Sequence, residues 1–208
     1  MTQKIIAWDF DGVLNRNLIN GTFVWKATFD RDIGVSAEAF SKYVFRSGRF
    51  DDVLIGKRDL IDLVAEWIEQ ADCAITPTAF LNYWFGKDNL PDDQTIQLLN
   101  EARTAGFINV LATNNEARRL AYIRNEMKFE TRMDHFFAAG PIGHKKPEEP
   151  FFRTIESALG ARGEDLFLID DKAENVEAAK ALGWHAFHFQ AGDHNRLAEA
   201  IRDFGAGA

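Results

Sequence analysis

The chain has 208 residues, with 24 Lys and Arg against 32 Asp and Glu, a formal charge of −8 at pH 7. Apolar residues make up 46% and charged residues 27%, the balance of a globular protein in water, and the length suits one domain or one domain carrying an insertion. The acidic excess argues against a nucleic-acid binder, the lone Cys73 excludes an internal disulfide, and no apolar run approaches the ~20 residues that span a bilayer.

Lys4 to Trp8 reads as a buried strand, too short for a signal peptide, so the expected location is cytoplasmic. It ends in Asp9-Phe10-Asp11-Gly12, where the glycine permits a sharp turn. Apolar residues on either side of Asn20-Gly21 predict a hairpin within Asn17 to Val24. From Trp25 to about Gly86 the pattern is helical. Leu60, Leu63, Val64, Trp67 and Ile68 make one apolar stripe, while Ser36 and Thr76-Pro77 open two further helices.

After Pro91 the rhythm alternates. Helices are expected at Asp92 to Ala105, Glu116 to Met127, Glu149 to Leu159, Ala173 to Leu182 and His194 to Phe204. Strands are expected at Phe107 to Ala112, His135 to Ala139, Leu166 to Ile169 and Trp184 to Phe189. Such alternation predicts an α/β fold, a doubly wound parallel sheet of Rossmann-like type. Roughly 80 mostly helical residues separate the first strand from the rest, too many for one crossover. The expected division is an α/β core of residues 1–16 and 87–208, with a hairpin and a helical insertion at 17–86.

In such sheets ligands bind at the carboxyl ends of strands, and four of these ends are polar. Asp9 and Asp11, two apart on extended chain, can face one site as nucleophile and general acid, though Asp and Gly also simply make turns. Thr113-Asn114-Asn115 offers an oxyanion cradle or an ordinary helix cap. Lys146, held by Pro147, is either a counter-charge for phosphate or part of a solvated loop. Asp170-Asp171 suits a hard cation such as Mg²⁺, or Asp171 caps the next helix with Glu174.

Together these motifs, in this order, resemble the haloacid dehalogenase superfamily of aspartate-nucleophile phosphohydrolases, in the subclass with a small α-helical cap. The resemblance covers nearly the whole chain: Asp9 to Leu14, Thr113-Asn114, Lys146-Pro147, and Asp170-Asp171 with Asn175 match the four signature motifs. It implies a Mg²⁺-dependent phosphatase for a small phosphorylated metabolite. Asp9 would attack phosphorus and Asp11 would serve as acid and base. Thr113 and the Asn114 amide would hold phosphate oxygens, and Lys146 would offset charge. Asp9, Asp11 and Asp171 would ligate Mg²⁺, with Asp170 acting through water. Asp11 sets the motif apart from dehalogenases, which lack an acid there. A phosphomutase, and a phospho-aspartate signalling switch or binding module, are the alternatives.

Specificity is expected in the cap. Arg46, Arg49, Lys57 and Arg58 are candidates to meet an anionic substrate group, or are solvated charges. Trp25, Trp67, Trp84 and Phe85 read as cap core. His185 and His188 fall on opposite faces of a strand and make a poor metal pair. The expected assembly is a monomer or homodimer, with no membrane or nucleic-acid partner.

Overall fold

The computed structural model describes residues 3–19 and 21–207. All four residues of β1 (Ile5–Trp8) are buried, so both faces of this strand are covered. Ile6 and Trp8 point into one core, and Ile5 and Ala7 into another, as a period of two requires.

The sheet is completed by β4 (Ile108–Thr113), β5 (His135–Ala138), β6 (Leu166–Asp170) and β7 (His185–His188). All pairings are parallel, in the order β5-β4-β1-β6-β7. The strand nearest the amino end is therefore central, and the chain winds outward from it in both directions. That reversal opens a crevice at the carboxyl end of β1. The helices α6 (Asp93–Thr104), α7 (Ala117–Asn125) and α11 (His194–Ala206) pack against one face, and α9 (Glu149–Leu159) and α10 (Ala173–Ala181) against the other. A short helix, α8 (Ala139–Ile142), follows β5 directly where a loop is expected.

Between β1 and α6 lie the antiparallel pair β2 (Leu18–Ile19) and β3 (Thr22–Phe23), and then five helices. These are α1 (Lys26–Ile33), α2 (Ala37–Val44), α3 (Arg49–Leu54), α4 (Leu60–Gln70) and α5 (Pro77–Lys87). Asn20 of the expected turn lies outside the described residues. Ser36, Asp59 and Thr76 cap α2, α4 and α5 with their side chains, as their types predict. The helices have an aromatic core of their own. Phe40 sits edge-on to Trp67 and Phe80, with ring centroids 4.7 and 5.1 Å away.

Two ties bind this cap to the sheet domain. Arg118 of α7 pairs with Asp59 at the start of α4, its Nη2 2.7 Å from Oδ2. Gly56, with φ of 74°, lies so close to α8 that a Cβ would sit 2.3 Å from the Gly140 carbonyl oxygen.

Two expected caps are not formed. Helix α10 begins after Lys172, whose amide donates to Asp170 Oδ1 at 2.9 Å, so Asp171 does not cap it. Helix α7 begins after Glu116, whose carboxylate accepts the Arg118 and Arg119 amides, so neither Asn114 nor Asn115 is needed there. Both outcomes leave polar side chains at the crevice. Strand β7 starts one residue later than expected, because the Trp184 amide closes the preceding turn on Ala179 O at 3.0 Å. Among the described residues, no helix is long and apolar enough to cross a membrane.

Candidate active site

Register assembles the site. Trp8 pairs with Leu111 on one side and Ile169 on the other, so the next residues, Asp9, Ala112 and Asp170, come level at the carboxyl edge. The Asp9 amide donates to Ile169 O at 2.9 Å, which fixes the carboxylate beside that of Asp170.

Lys146 reaches this edge from the loop after α8 and is completely sequestered there. Its ammonium uses all three protons: on Asp170 Oδ2 at 2.6 Å, on Ala112 O at 2.6 Å and on Asp9 Oδ1 at 3.0 Å. Its backbone is held by Asn114, whose Nδ2 donates to Lys146 O and whose Oδ1 accepts from Lys146 N, both at 2.8 Å. The Asn114 side chain is thus committed to positioning the lysine. Asp170 is committed too, since Lys146, Asn175 and the Lys172 amide occupy both of its oxygens.

Burial pushes the Asp9 carboxyl well above its ordinary pKa; Lys146 pulls it back, and Asp170 and Asp171 push it further up. Burial also raises Asp171, against the pull of Lys172, whose Nζ is 3.0 Å from its Oδ2. Lys146 stays firmly charged, because Asp9 and Asp170 together outweigh the effect of burial.

Asp11 faces the same crevice on a loop bridged by Asn15. Its Oδ1 accepts from Asn17 Nδ2 at 2.8 Å and from Asn15 Nδ2 at 3.3 Å, and its Oδ2 from Asn115 Nδ2 at 3.0 Å. Asn115 also donates to Thr113 Oγ1 at 2.7 Å, which ties the buried threonine into this network. Asn15 further donates to Asp88 O at 2.7 Å and accepts the Leu90 amide at 2.8 Å, so it binds the loop to the point where the cap rejoins the core.

Beyond Asp11 the crevice continues as a cavity of about 110 Å³ between cap and core. Arg119 and Asp88 close one side of it. The buried guanidinium donates to Phe85 O at 3.2 Å and Asp88 O at 3.3 Å, and lies 4.0 Å from Asp11 Oδ1. Burial raises the Asp88 carboxyl to about 7, although Arg119 opposes the shift. Asn17 and Trp84 face this carboxyl and pull it back down, although Asp88 Oδ1, Asn17 Oδ1 and Trp84 Nε1 are buried with no close, well-aligned hydrogen bond.

The basic cap residues do not line this cavity. Arg46 pairs with Glu38, Arg49 lies 4.4 Å over the Tyr43 ring, Arg58 pairs with Glu66 and Lys57 is exposed. Trp25, Trp84 and Phe85 belong to the cap core, as their pattern predicts, and also form the cavity wall.

Asn15, Asn17, Asp88 and Arg119 escape a reading of motifs. Arg119 did carry a signal: it falls at i, i+1 and i+4 with Leu120 and Ile123, inside the buried face of α7. Asp88 carried none, because an acid at a helix end is ordinarily solvated.

Ligand oxygens of Asp9, Asp170 and Asp171 lie within 4.8 Å of one another, a donor set of hard carboxylates that fits Mg²⁺. The loop is shaped around this cluster, since a Cβ on Gly12 would come within 2.8 Å of the Asp171 carboxylate.

A family model described as haloacid dehalogenase-like hydrolase matches residues 3–183. A sesquiterpene phosphatase of Aspergillus oryzae is 31% identical over 99 residues, 47% of this chain, and the match spans half of that relative's length. Two solved structures share the fold. A predicted hydrolase of this kind from Porphyromonas gingivalis has a TM-score of 0.78 at 20% identity, covering 96% of this chain and 98% of its own. An enzyme of the family from Bacteroides thetaiotaomicron, in complex with magnesium and inorganic phosphate, has a TM-score of 0.74 at 19% identity, covering 92% and 96%. With a match over residues 3–183 and this sheet, the chain belongs to the haloacid dehalogenase-like hydrolases.

Proposed function

We propose that this hydrolase is a Mg²⁺-dependent phosphatase that cleaves a small phosphomonoester through a phosphorylated Asp9. The observation that carries the reading is the buried Asp9, 3.0 Å from the fully sequestered Lys146 and clustered with Asp170 and Asp171, with Asp11 two residues further on. The magnesium and phosphate bound by the Bacteroides enzyme and the phosphatase named among the relatives support it.

A phosphate dianion must approach a carboxylate, so the charge has to be offset before bonds can change. Lys146 supplies one fixed positive charge, and Asp170 and Asn114 hold it in place. Asp9 and Asp171 would hold Mg²⁺ with the Asp11 backbone carbonyl, and Asp170 would contribute through water. Bound there, the ion supplies the remaining charge and orients the phosphoryl oxygens. Thr113 Oγ1 and the Asn114 backbone N–H would hold those oxygens.

An Asp9 carboxylate oxygen attacks phosphorus while the bond to the ester oxygen breaks. Asp11 gives its proton to the departing alcohol oxygen. Asp11 then takes a proton from water, which attacks the acyl phosphate at phosphorus. Inorganic phosphate leaves and the Asp9 carboxylate is restored. The amides of Asn15, Asn17 and Asn115 keep Asp11 pointed at one place through both steps. The test is phosphate release from p-nitrophenyl phosphate: wild type active with Mg²⁺ and silent in EDTA, and Asp9→Asn folded but inactive. Wild-type rates from Asp9→Asn refute the mechanism.

A further inference from the structure

The chemistry of the cavity wall says what the ester's alcohol should be. At one end of the cavity stand Asp11, Asn114 and Asn115. The remaining wall is largely aromatic: Phe23, Trp25, Phe45, Phe50, Trp84 and Phe85. Trp25, Trp84 and Phe85 are buried among other rings, whereas Phe23, Phe45 and Phe50 are only half-buried and leave ring surface uncovered. We propose that this cavity is the leaving-group site and that it selects phosphomonoesters of uncharged, apolar alcohols. The proposal rests on the phosphatase reading.

Charge is the first argument. Asp11, Asp88 and Glu116 all line the cavity, against a single base, Arg119. That base is already engaged by two carbonyls and faces Asp11. The cap's Arg46, Arg49 and Lys57 lie off the wall. A second anionic group on the substrate would meet three carboxyl groups and a guanidinium whose hydrogen bonds are already directed at backbone carbonyls.

Hydrogen bonding is the second. Asn114 spends its amide on Lys146, Asn115 donates to Asp11 and Thr113, and Glu116 accepts two backbone amides. The buried polar atoms on the wall without a close partner are Trp84 Nε1 and Asp88 Oδ1, which face each other. One hydroxyl has partners there, but a polyol would surrender its water without replacement.

Size is the third. A cavity of about 150 Å³ holds benzene. The volume here, about 110 Å³, is smaller, so the alcohol group it admits is no bulkier than one small ring or a short branched chain.

The experiment compares kcat/KM with Mg²⁺ for phenyl phosphate and 3-methylbutyl phosphate against glycerol 3-phosphate, glucose 6-phosphate and phosphoglycolate. Apolar esters are expected to lead by tenfold or more, since a single methylene in an apolar pocket can be worth that much. Phe45→Ala and Phe50→Ala, both at half-buried positions, should each narrow the lead at least threefold. Equal or better turnover of the polyol or anionic esters overturns the proposal, as does a lead that neither substitution changes. Calorimetric binding of phenylphosphonate and phosphonoacetate, which need no turnover, separates the two readings. Tighter binding of phenylphosphonate without any hydrolysis would refute the phosphatase reading and uphold the pocket's preference. Tighter binding of phosphonoacetate would refute the preference itself.

Discussion

Replacing Lys146 with methionine isolates what the site demands of its buried ammonium. Methionine reproduces the length of the stem, so little cavity is left behind and the change is mainly one of charge. The side chain contacts two carboxylates and one carbonyl at 2.6 to 3.0 Å, all of them on buried residues. Removing one partner of a buried pair typically costs about 3–5 kcal/mol. For a chain of this size each kcal/mol lowers the midpoint by roughly 2–4 °C, so Lys146→Met should unfold about 6–20 °C earlier. Thermal unfolding at pH 7 in EDTA reads this directly. Asp170→Asn should recover part of the loss in the double mutant, with a coupling of about 0.5–3 kcal/mol. The loss should also shrink on acidification. Asp9, already raised by burial, takes up a proton as pH falls, and the uncompensated charge disappears. A loss under about 1 kcal/mol, or one independent of the charge on Asp170, would refute the reasoning.

Asp88→Asn should be stabilising, and increasingly so with pH. A carboxyl raised from 3.8 to about 7 contributes stability in full below its unfolded value and loses it as pH rises through about 7, a swing of ~4 kcal/mol. Urea denaturation should therefore show the variant's advantage growing by ~2–3 kcal/mol between pH 5 and pH 8; a constant gap would contradict this. Gly56→Ala adds left-handed strain of about 1–2 kcal/mol and a Cβ 2.3 Å from Gly140 O, so the cap edge must lift from α8. Hydrogen exchange should quicken across residues 54–58 and 139–142, and unchanged protection there would count against that contact as a tie.

The sheet was legible because β1 and β6 are unbroken apolar runs that stop at acids, and because glycines 106 and 183 close the preceding helices. The four polar strand ends followed from it, since chemistry in this architecture gathers at one edge. Legibility failed where one residue type serves two purposes. Asn114 and Asn115, taken alone, read more readily as helix caps, and only the placement of Glu116 released them for Lys146 and Asp11. The basic residues of the cap invite a substrate role through charge alone, but Arg46, Arg58 and Arg49 are placed by local pairing with Glu38, Glu66 and the Tyr43 ring, and Lys57 is exposed. Arg119 and Asp88 come together across a sequence gap of 31 residues, a proximity no local pattern encodes.

The central claim is that phosphoryl passes through Asp9. The direct measurement is rapid quench of wild-type enzyme turning over phenyl phosphate with Mg²⁺, followed by borohydride reduction and peptide mass spectrometry. An acyl phosphate at position 9 predicts reduction of that side chain to homoserine, absent without substrate and absent in Asp9→Asn. Turnover with no reduction at position 9, or with reduction at Asp11, Asp170 or Asp171 instead, would contradict the account.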